Sequence, residues 1–305
     1  MDKRNKINQK PTILVFVYNR IDHLKKTISS LKKNKGYKKY NIIFFCDGPK
    51  NLSDKTKIKR IIKEIKSFKG FSSKKIVIKN RNFGLAKSVI NGINYAFSFK
   101  KIQSIIVLED DLILSPFFLE YMTGALNSYK CENNIGSVSA YSFFKNNPKY
   151  KEGIYLSPRH SSWGWGTWKE TWLKFKWSQK FINRTYGNKV LVNKIKIGGN
   201  DLKKILKSQI DKKINSWSII FDLNCALRNL YCVCPNKSMV YNIGLDNSGT
   251  HNKFEGSLNN NYEKNFKIKN FPQLKINYQV NKDIQKIFEI PLWKKLKNKI
   301  IKFLM

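Results

Sequence analysis

The chain has 305 residues, 41% apolar and 13% aromatic, enough to bury a large core as one domain or two small ones. No apolar run approaches the ~20 residues a spanning helix needs, and the run behind the charged N-terminus, Ile13–Tyr18, is too short for a signal peptide. With 59 Lys+Arg against 20 Asp+Glu the formal charge is +39, which favours polyanionic partners such as nucleic acid, anionic lipid or phosphorylated ligands, although the lysines are dispersed and accompany many Asn and Ile, as AT-rich coding alone would give.

Ile13–Tyr18 is a continuous apolar run, the pattern of a strand buried on both faces. Ile21, Leu24, Ile28 and Leu31 then recur at helical spacing. Asn41–Cys46 predicts a second buried strand, closed by the turn Asp47-Gly48-Pro49. Ile58, Ile61, Ile62, Ile65 and Phe68 line one face of a second helix. Lys75–Ile78 predicts a third strand, Leu85–Phe97 a third helix and Ser104–Leu108 a fourth strand. Ser115-Pro116 has the form of a helix start, with Ser as N-cap and Pro at the first helical position; a helix to about Tyr129 and a strand near Ile135–Ala140 follow.

This alternation implies an α/β protein whose mainly parallel sheet carries helices on both faces. The second half is less regular. Asp201–Ile210 and Trp217–Leu230 read as helices, Tyr231–Cys234 and Met239–Tyr241 as short strands, and Asn242–Gly256 as a polar loop. The five cysteines are odd in number and lack CxxC spacing, so they read as reduced thiols of a cytoplasmic protein; Cys232 and Cys234 are expected on opposite faces of their strand.

In such sheets ligands bind beyond the carboxyl ends of the strands. Asn19-Arg20, Asp47-Gly48 and Glu109-Asp110-Asp111 all fall at strand ends. The last three interrupt the apolar run Ile105–Leu114. Either a turn lifts them into water or a cation sits there, and a hard divalent ion suits clustered carboxylates beside a diphosphate.

The blocks ILVFVYNRIDHLKKTISSL, FFCDGP, KNRNFGLAKSVINGINYAF and IIVLEDDLILSPFFLEYM resemble, with their spacing, the nucleotide-sugar glycosyltransferases of the GT-A fold. The resemblance is to bacterial members of glycosyltransferase family 2 and to the N-acetylglucosaminyltransferase I group. It covers residues 11–140 and continues through SSWGWGTWKETW and PNKSMVYNIGLDNSGTH. It implies a GT-A (Rossmann-like) domain with a nucleotide-sugar-binding half at 11–140, an acceptor-side half at 141–275 and a basic helical tail at 276–305.

For individual residues, the resemblance implies that Val17, Tyr18, Asn19 and Arg20 line the nucleotide pocket, that Asp47 accepts hydrogen bonds from base or ribose, and that Arg81, Asn82, Gly84 and Leu85 shape the donor loop. Glu109-Asp110-Asp111 matches the family's DxD-type motif. Asp111 would bind Mn²⁺ or Mg²⁺ directly, with His251 near the metal or diphosphate, and Glu109 and Asp110 would contact sugar, ribose or metal-bound water. Trp163, Gly164, Trp165 and Trp217 are acceptor-side candidates, because tryptophan stacks on sugar C–H faces and glycine permits close approach; core packing is the competing reading. Relatives carry an acidic general base next to the Trp matching Trp217, where this chain has Asn215 and Ser218. Asp211 and Asp222 are the nearest acids, and Asp222 is the preferred candidate base.

Trp293, Leu296, Ile300 and Phe303, set among lysines, make the tail Trp293–Met305 a basic amphipathic helix suited either to an anionic membrane or to docking on its own protein. The sequence therefore predicts a metal-dependent inverting transferase that moves a sugar from a UDP-linked donor to a surface-glycan or lipid-linked acceptor in the cytoplasm, at the membrane's inner face. A catalytically weak nucleotide-sugar-binding homologue is one alternative. A nucleic-acid-binding protein is the other, against which stands the lack of any recognisable nucleic-acid motif.

Overall fold

The structure, a computed structural model, describes residues 10–144, 153–245 and 262–289. Strands β1 (Thr12–Val17), β2 (Asn41–Cys46), β3 (Ser73–Ile78) and β4 (Ser104–Glu109) alternate with helices α1 (Ile21–Lys32), α2 (Leu52–Ser67) and α3 (Leu85–Ser98). After a two-residue turn come β5 (Leu112–Leu114), α4 (Phe118–Ser128) and β6 (Ile135–Ser139). The second half holds β7 (Ile154–Ser157), β8 (Trp165–Trp168), α5 (Lys169–Leu173), α6 (Gln179–Gly187), α7 (Lys189–Ile195), α8 (Asp201–Ile210), α9 (Trp217–Leu227), β9 (Tyr231–Pro235), β10 (Val240–Asn242) and α10 (Tyr278–Ile287).

Among the described residues one eight-stranded sheet runs in the order β3-β2-β1-β4-β8-β6-β9-β7. β3, β2, β1 and β4 are parallel, β8 enters antiparallel between β4 and β6, and β6 and β9 are again parallel. This is the mainly parallel sheet with helices on both faces that the alternation predicts. The period of two along β1 divides the core. Ile13, Val15 and Val17 face Leu24, Ile28 and Leu31 of α1 while Leu14 and Phe16 face Val89, Ile93 and Phe97 of α3. With both sides covered, the strands need the unbroken apolar runs the sequence has.

The structure departs from expectation in four places. Helix α4 starts at Phe118 rather than Pro116: Ser115 Oγ accepts from Phe117 N at 3.2 Å and donates to Lys264 O at 3.0 Å, so the serine ties a turn to the C-terminal segment. Trp165 and Trp168 belong to β8, a strand that the segment SSWGWGTWKETW does not announce, while Trp172 lies on α5. Cys232 and Cys234 share one face, with Sγ atoms 3.8 Å apart, because side chains two apart on a strand point the same way; all five cysteines are free. Part of the expected tail is a docked helix: α10 buries Val280 and Ile284, and Phe288 beyond it packs edge-on against Phe143. Trp293–Met305 lies outside the described residues. Among the described residues no helix is long and apolar enough to cross a membrane.

The β4–β8 junction is closed by Gly166. A Cβ there would sit 2.5 Å from Ile105 O, a backbone atom that cannot yield without spreading the sheet. Gly166→Ala is expected to cost about 1–3 kcal/mol in urea unfolding. Gly187→Ala, at a glycine with nothing within 4 Å of the added carbon, should change stability by less than about 0.5 kcal/mol.

Candidate functional site

The three acids sit where β4 leaves the sheet. Glu109 is the last strand residue and, by alternation, lies on the face of Val107, toward α3 and α9. It keeps some exposed surface, yet burial, and after it the charges of Asp111 and Asp110, pushes its carboxyl up to about 8. Asp110 and Asp111 form the turn and are 3% and 6% exposed.

A buried turn with two carboxylates needs compensation, and three elements supply it. Arg20, at the entry of α1, holds Asp110 Oδ1 through Nη2, and the same nitrogen lies 2.9 Å from Asp111 Oδ2. Tyr18 N donates to Asp110 Oδ2 at 3.3 Å. Thr27, fully buried on α1, donates through Oγ1 to Asp110 O at 2.9 Å and accepts from Leu112 N at 3.1 Å. Burial still pushes the Asp110 carboxyl up to about 6, against the pull of Arg20.

Asp111 is only half engaged. Its Oδ1 is buried and has no hydrogen-bond partner. Its own carbonyl accepts from Ile243 N at 2.9 Å, and Gly244 lies so close that a Cβ there would be 2.2 Å from Asp111 Oδ2. An unpaired buried carboxylate oxygen is costly, and a cation is the partner that would relieve it. Among the described residues no three His, Cys, Asp or Glu gather to hold a metal. One unpaired carboxylate oxygen nonetheless suits a small hard ion that takes most of its ligands from phosphates and water. His251 lies outside the described residues.

The neighbouring strand ends are braced to each other. Asp47, 8% exposed, accepts from Gly48 N at 3.0 Å, from Phe83 N at 3.0 Å and from Gly84 N at 3.1 Å. Both of its oxygens accept from backbone amides, so it clamps the Phe83-Gly84 segment to the end of β2; a carboxylate has about four lone-pair sites, and these bonds leave the expected contact with base or ribose untested. Asn82 Nδ2 donates to Gly48 O at 3.0 Å, and a Cβ on Gly48 would lie 2.4 Å from the Arg81 backbone, so the Asp47-Gly48 and Arg81–Gly84 segments touch. Gly84 adopts φ +76, a region glycine occupies without penalty. Arg81 and Leu85 are exposed, and the Arg81 guanidinium lies 5.1 Å from the Phe83 ring centre.

Val17 is interior. Tyr18 and Asn19 are positioned by Asp54, which accepts from the Tyr18 hydroxyl at 2.5 Å and from Asn19 Nδ2 at 2.9 Å. Asp54, Thr27 and Gly244 were not singled out in the sequence. The first two had a signal: Asn51 caps α2 by accepting from Asp54 N at 2.9 Å, an N-cap spacing, and Thr27 is a polar residue on the otherwise apolar stripe of α1. Gly244 had none.

On the acceptor side the structure corrects several expectations. Trp165 and Trp217 are 0% and 2% exposed and stack on each other at 4.8 Å, so neither offers a face to a sugar. Gly164 has φ +62, and a Cβ there would meet Phe118 and Val240 at 2.9 Å; the glycine serves packing. Trp163 is half-buried and meets Tyr141 edge-on at 4.8 Å, the one candidate of the four that is not fully buried. Asp222 is walled in, 7% exposed, with Oδ1 accepting from His160 N at 2.8 Å. Burial pushes its carboxyl up to about 6, against Arg159 and His160. So enclosed, the acid braces the His160 backbone and offers little open approach to an acceptor hydroxyl. The entry of α9 instead abuts the Arg81–Gly84 segment through Asn215, whose Nδ2 is 3.2 Å from where a Gly84 Cβ would be.

A family model described as Glycosyl transferase family 2 matches residues 12–198. The mannosyltransferase PcManGT from Pyrobaculum calidifontis, solved in complex with GDP-Man and Mn²⁺, is similar over 72% of this chain and 69% of its own, at 10% identity and a TM-score of 0.40. The S. aureus TarS 1–349 structure is similar over 77% of this chain and 61% of its own, at 12% identity and a TM-score of 0.42. No curated protein matches.

Asp222→Asn separates the two roles of that acid. Its ordinary value in an unfolded chain is near 3.9, below its folded value of about 6. Its stabilising contribution is therefore full below about pH 4 and lost as pH rises through about 6. The variant should gain in melting temperature relative to the wild type between pH 4.5 and 7.5, with sugar transfer retained. For the clamp, Asp47→Ala strands the Phe83 and Gly84 amides, and a loss of about 1–3 kcal/mol in urea unfolding is expected.

Proposed function

Since a family 2 model matches more than half of it, the chain belongs to glycosyl transferase family 2 and is a glycosyltransferase; from that premise we propose a divalent-metal-dependent, inverting enzyme that uses a UDP-linked sugar. The half-engaged, buried carboxylate of Asp111 at the carboxyl end of β4 carries this reading. Mn²⁺ or Mg²⁺ bound there would neutralise charge on the departing nucleotide diphosphate, Lewis-acid help worth several kcal/mol. Tyr18, Asn19 and the loop Arg81–Leu85 bound the nucleotide side, braced by Asp54 and Asp47. Arg20 is the cation within reach of the diphosphate. Glu109 and Asp110 flank the sugar and ribose.

The acceptor is a surface-glycan or lipid-linked hydroxyl that approaches from the side of Trp163. The basic amphipathic pattern of Trp293–Met305 supports contact with an anionic cytoplasmic membrane face. The dispersed lysines support nonspecific attraction to polyanions rather than sequence-specific nucleic-acid binding.

A second reading, a weak transferase that binds the donor and turns it over slowly, is favoured by one observation: Asn215, which cannot take a proton, abuts the donor loop, while Asp222 is enclosed. A positioned base is worth roughly 10²–10⁴-fold in rate.

A panel of nucleotide sugars, screened by thermal shift with and without Mn²⁺, should give its largest stabilisation with one UDP-sugar plus Mn²⁺. Asp111→Ala should abolish that gain and lower transfer at least about 100-fold. Stabilisation by the donor that is indifferent to Mn²⁺ and to Asp111 contradicts the metal-dependent reading. Metal-dependent binding without turnover decides for the second.

A further inference from the structure

The acidic turn already holds a cation. Arg20 Nη2 bridges Asp110 Oδ1 and Asp111 Oδ2. The Arg20 side chain is 21% exposed, those of Asp110 and Asp111 4% and 9%, so the arginine enters from the crevice and the acids lie beneath it. The far side is shut. The turn Ile243–Leu245 presses on Asp111: Gly244 leaves no room for a Cβ beside Asp111 Oδ2, and the same Cβ would lie 3.0 Å from Arg20 Nη1. One oxygen of Asp111 is thus taken by a guanidinium and the other, Oδ1, is buried without a partner.

Two cations on one carboxylate repel strongly at low effective dielectric. A divalent ion reaching Asp111 Oδ1 would sit against a fixed positive charge on Oδ2. Conversely, a buried acid stripped of its counter-ion is the strongly destabilised case, and Arg20 is the counter-ion in contact with both carboxylates. Guanidinium also matches phosphate oxygens in its fork geometry as well as it matches carboxylates, so a diphosphate at the crevice offers it an alternative partner.

We propose that Arg20 is the resident counter-ion of the acidic turn and competes with the divalent metal for Asp111, so that metal loads tightly only when the donor diphosphate draws the guanidinium off the carboxylates. The inference rests on the assignment of Asp111 as metal ligand. Under it metal and donor bind with positive coupling, each raising the affinity of the other by the same factor.

The test is a Mn²⁺ titration of the full chain without nucleotide, with free Mn²⁺ read by electron paramagnetic resonance. Wild type is compared with Arg20→Ala, Arg20→Gln, Asp111→Ala and the double variant Arg20→Ala/Asp111→Ala. Removing the guanidinium should tighten Mn²⁺ binding about tenfold or more, and the gain should vanish in the double variant. Arg20→Gln keeps a donor to the acids without the charge and should move in the same direction, which covers failure of Arg20→Ala to fold. Mn²⁺ should then raise the melting temperature of the Arg20 variants more than that of wild type. If Asp111→Ala weakens Mn²⁺ binding but both Arg20 variants bind it no more tightly than wild type, the competition is refuted and the metal reading stands. If no protein binds Mn²⁺ better than Asp111→Ala does, both fall.

Discussion

The site depends on one electrostatic constraint: two carboxylates must stay buried at the end of β4 without repelling the turn apart. The fold meets it with a guanidinium from the end of β1, an amide from Tyr18 and a threonine hydroxyl from α1. All three come from one continuous stretch, residues 18–27, which follows directly on β1, the strand that pairs with β4. The parallel pairing brings that stretch beside the acids, and the period of α1 turns Thr27 toward them. Sheet topology and site electrostatics are therefore one arrangement seen at two scales.

The rim around the acids is rigid because its polar groups are mostly satisfied by one another. Asp47 holds the Phe83 and Gly84 amides, and Asp54 holds Tyr18 and Asn19. These acids look alike in sequence but do different work. Asp47, Asp54 and Asp222 have backbone amides or neutral donors as partners and act as braces, whereas Asp111 retains an unpaired oxygen. A site of this kind is found by asking which polar atom is left over.

Much of the first half was legible in the sequence. Apolar runs at 13–18 and 41–46 can only be strands covered on both faces, and the polar residues that end them had to emerge together on one edge of a parallel sheet. The acidic turn was legible for the same reason. The second half was not. β8 reads WGTW, short, aromatic and glycine-containing, and its partner β4 is some sixty residues earlier; no local periodicity announces a strand inserted antiparallel. The tryptophans misled because stacking on a sugar and stacking on each other use the same residues, and only the observed Trp165–Trp217 contact decides. The loop-bracing role of Asp47 was not legible, because a carboxylate at a strand end suits a ligand and a loop amide equally. Asn215 and Ser218, by contrast, were visible at once as an acid that is missing.

The insertion of β8 beside β4 bears on how the molecule is made. A ribosome that has released only the first 140 residues has produced a half-sheet whose β4 edge is bare. That edge, Ile105–Leu108, is uniformly aliphatic, the kind of strand that recruits a stranger's backbone. Protection arrives only when WGTW emerges, and Gly166 then closes the seam. Until then β4 has no partner on that side, and a neighbouring chain's backbone can compete for it during synthesis.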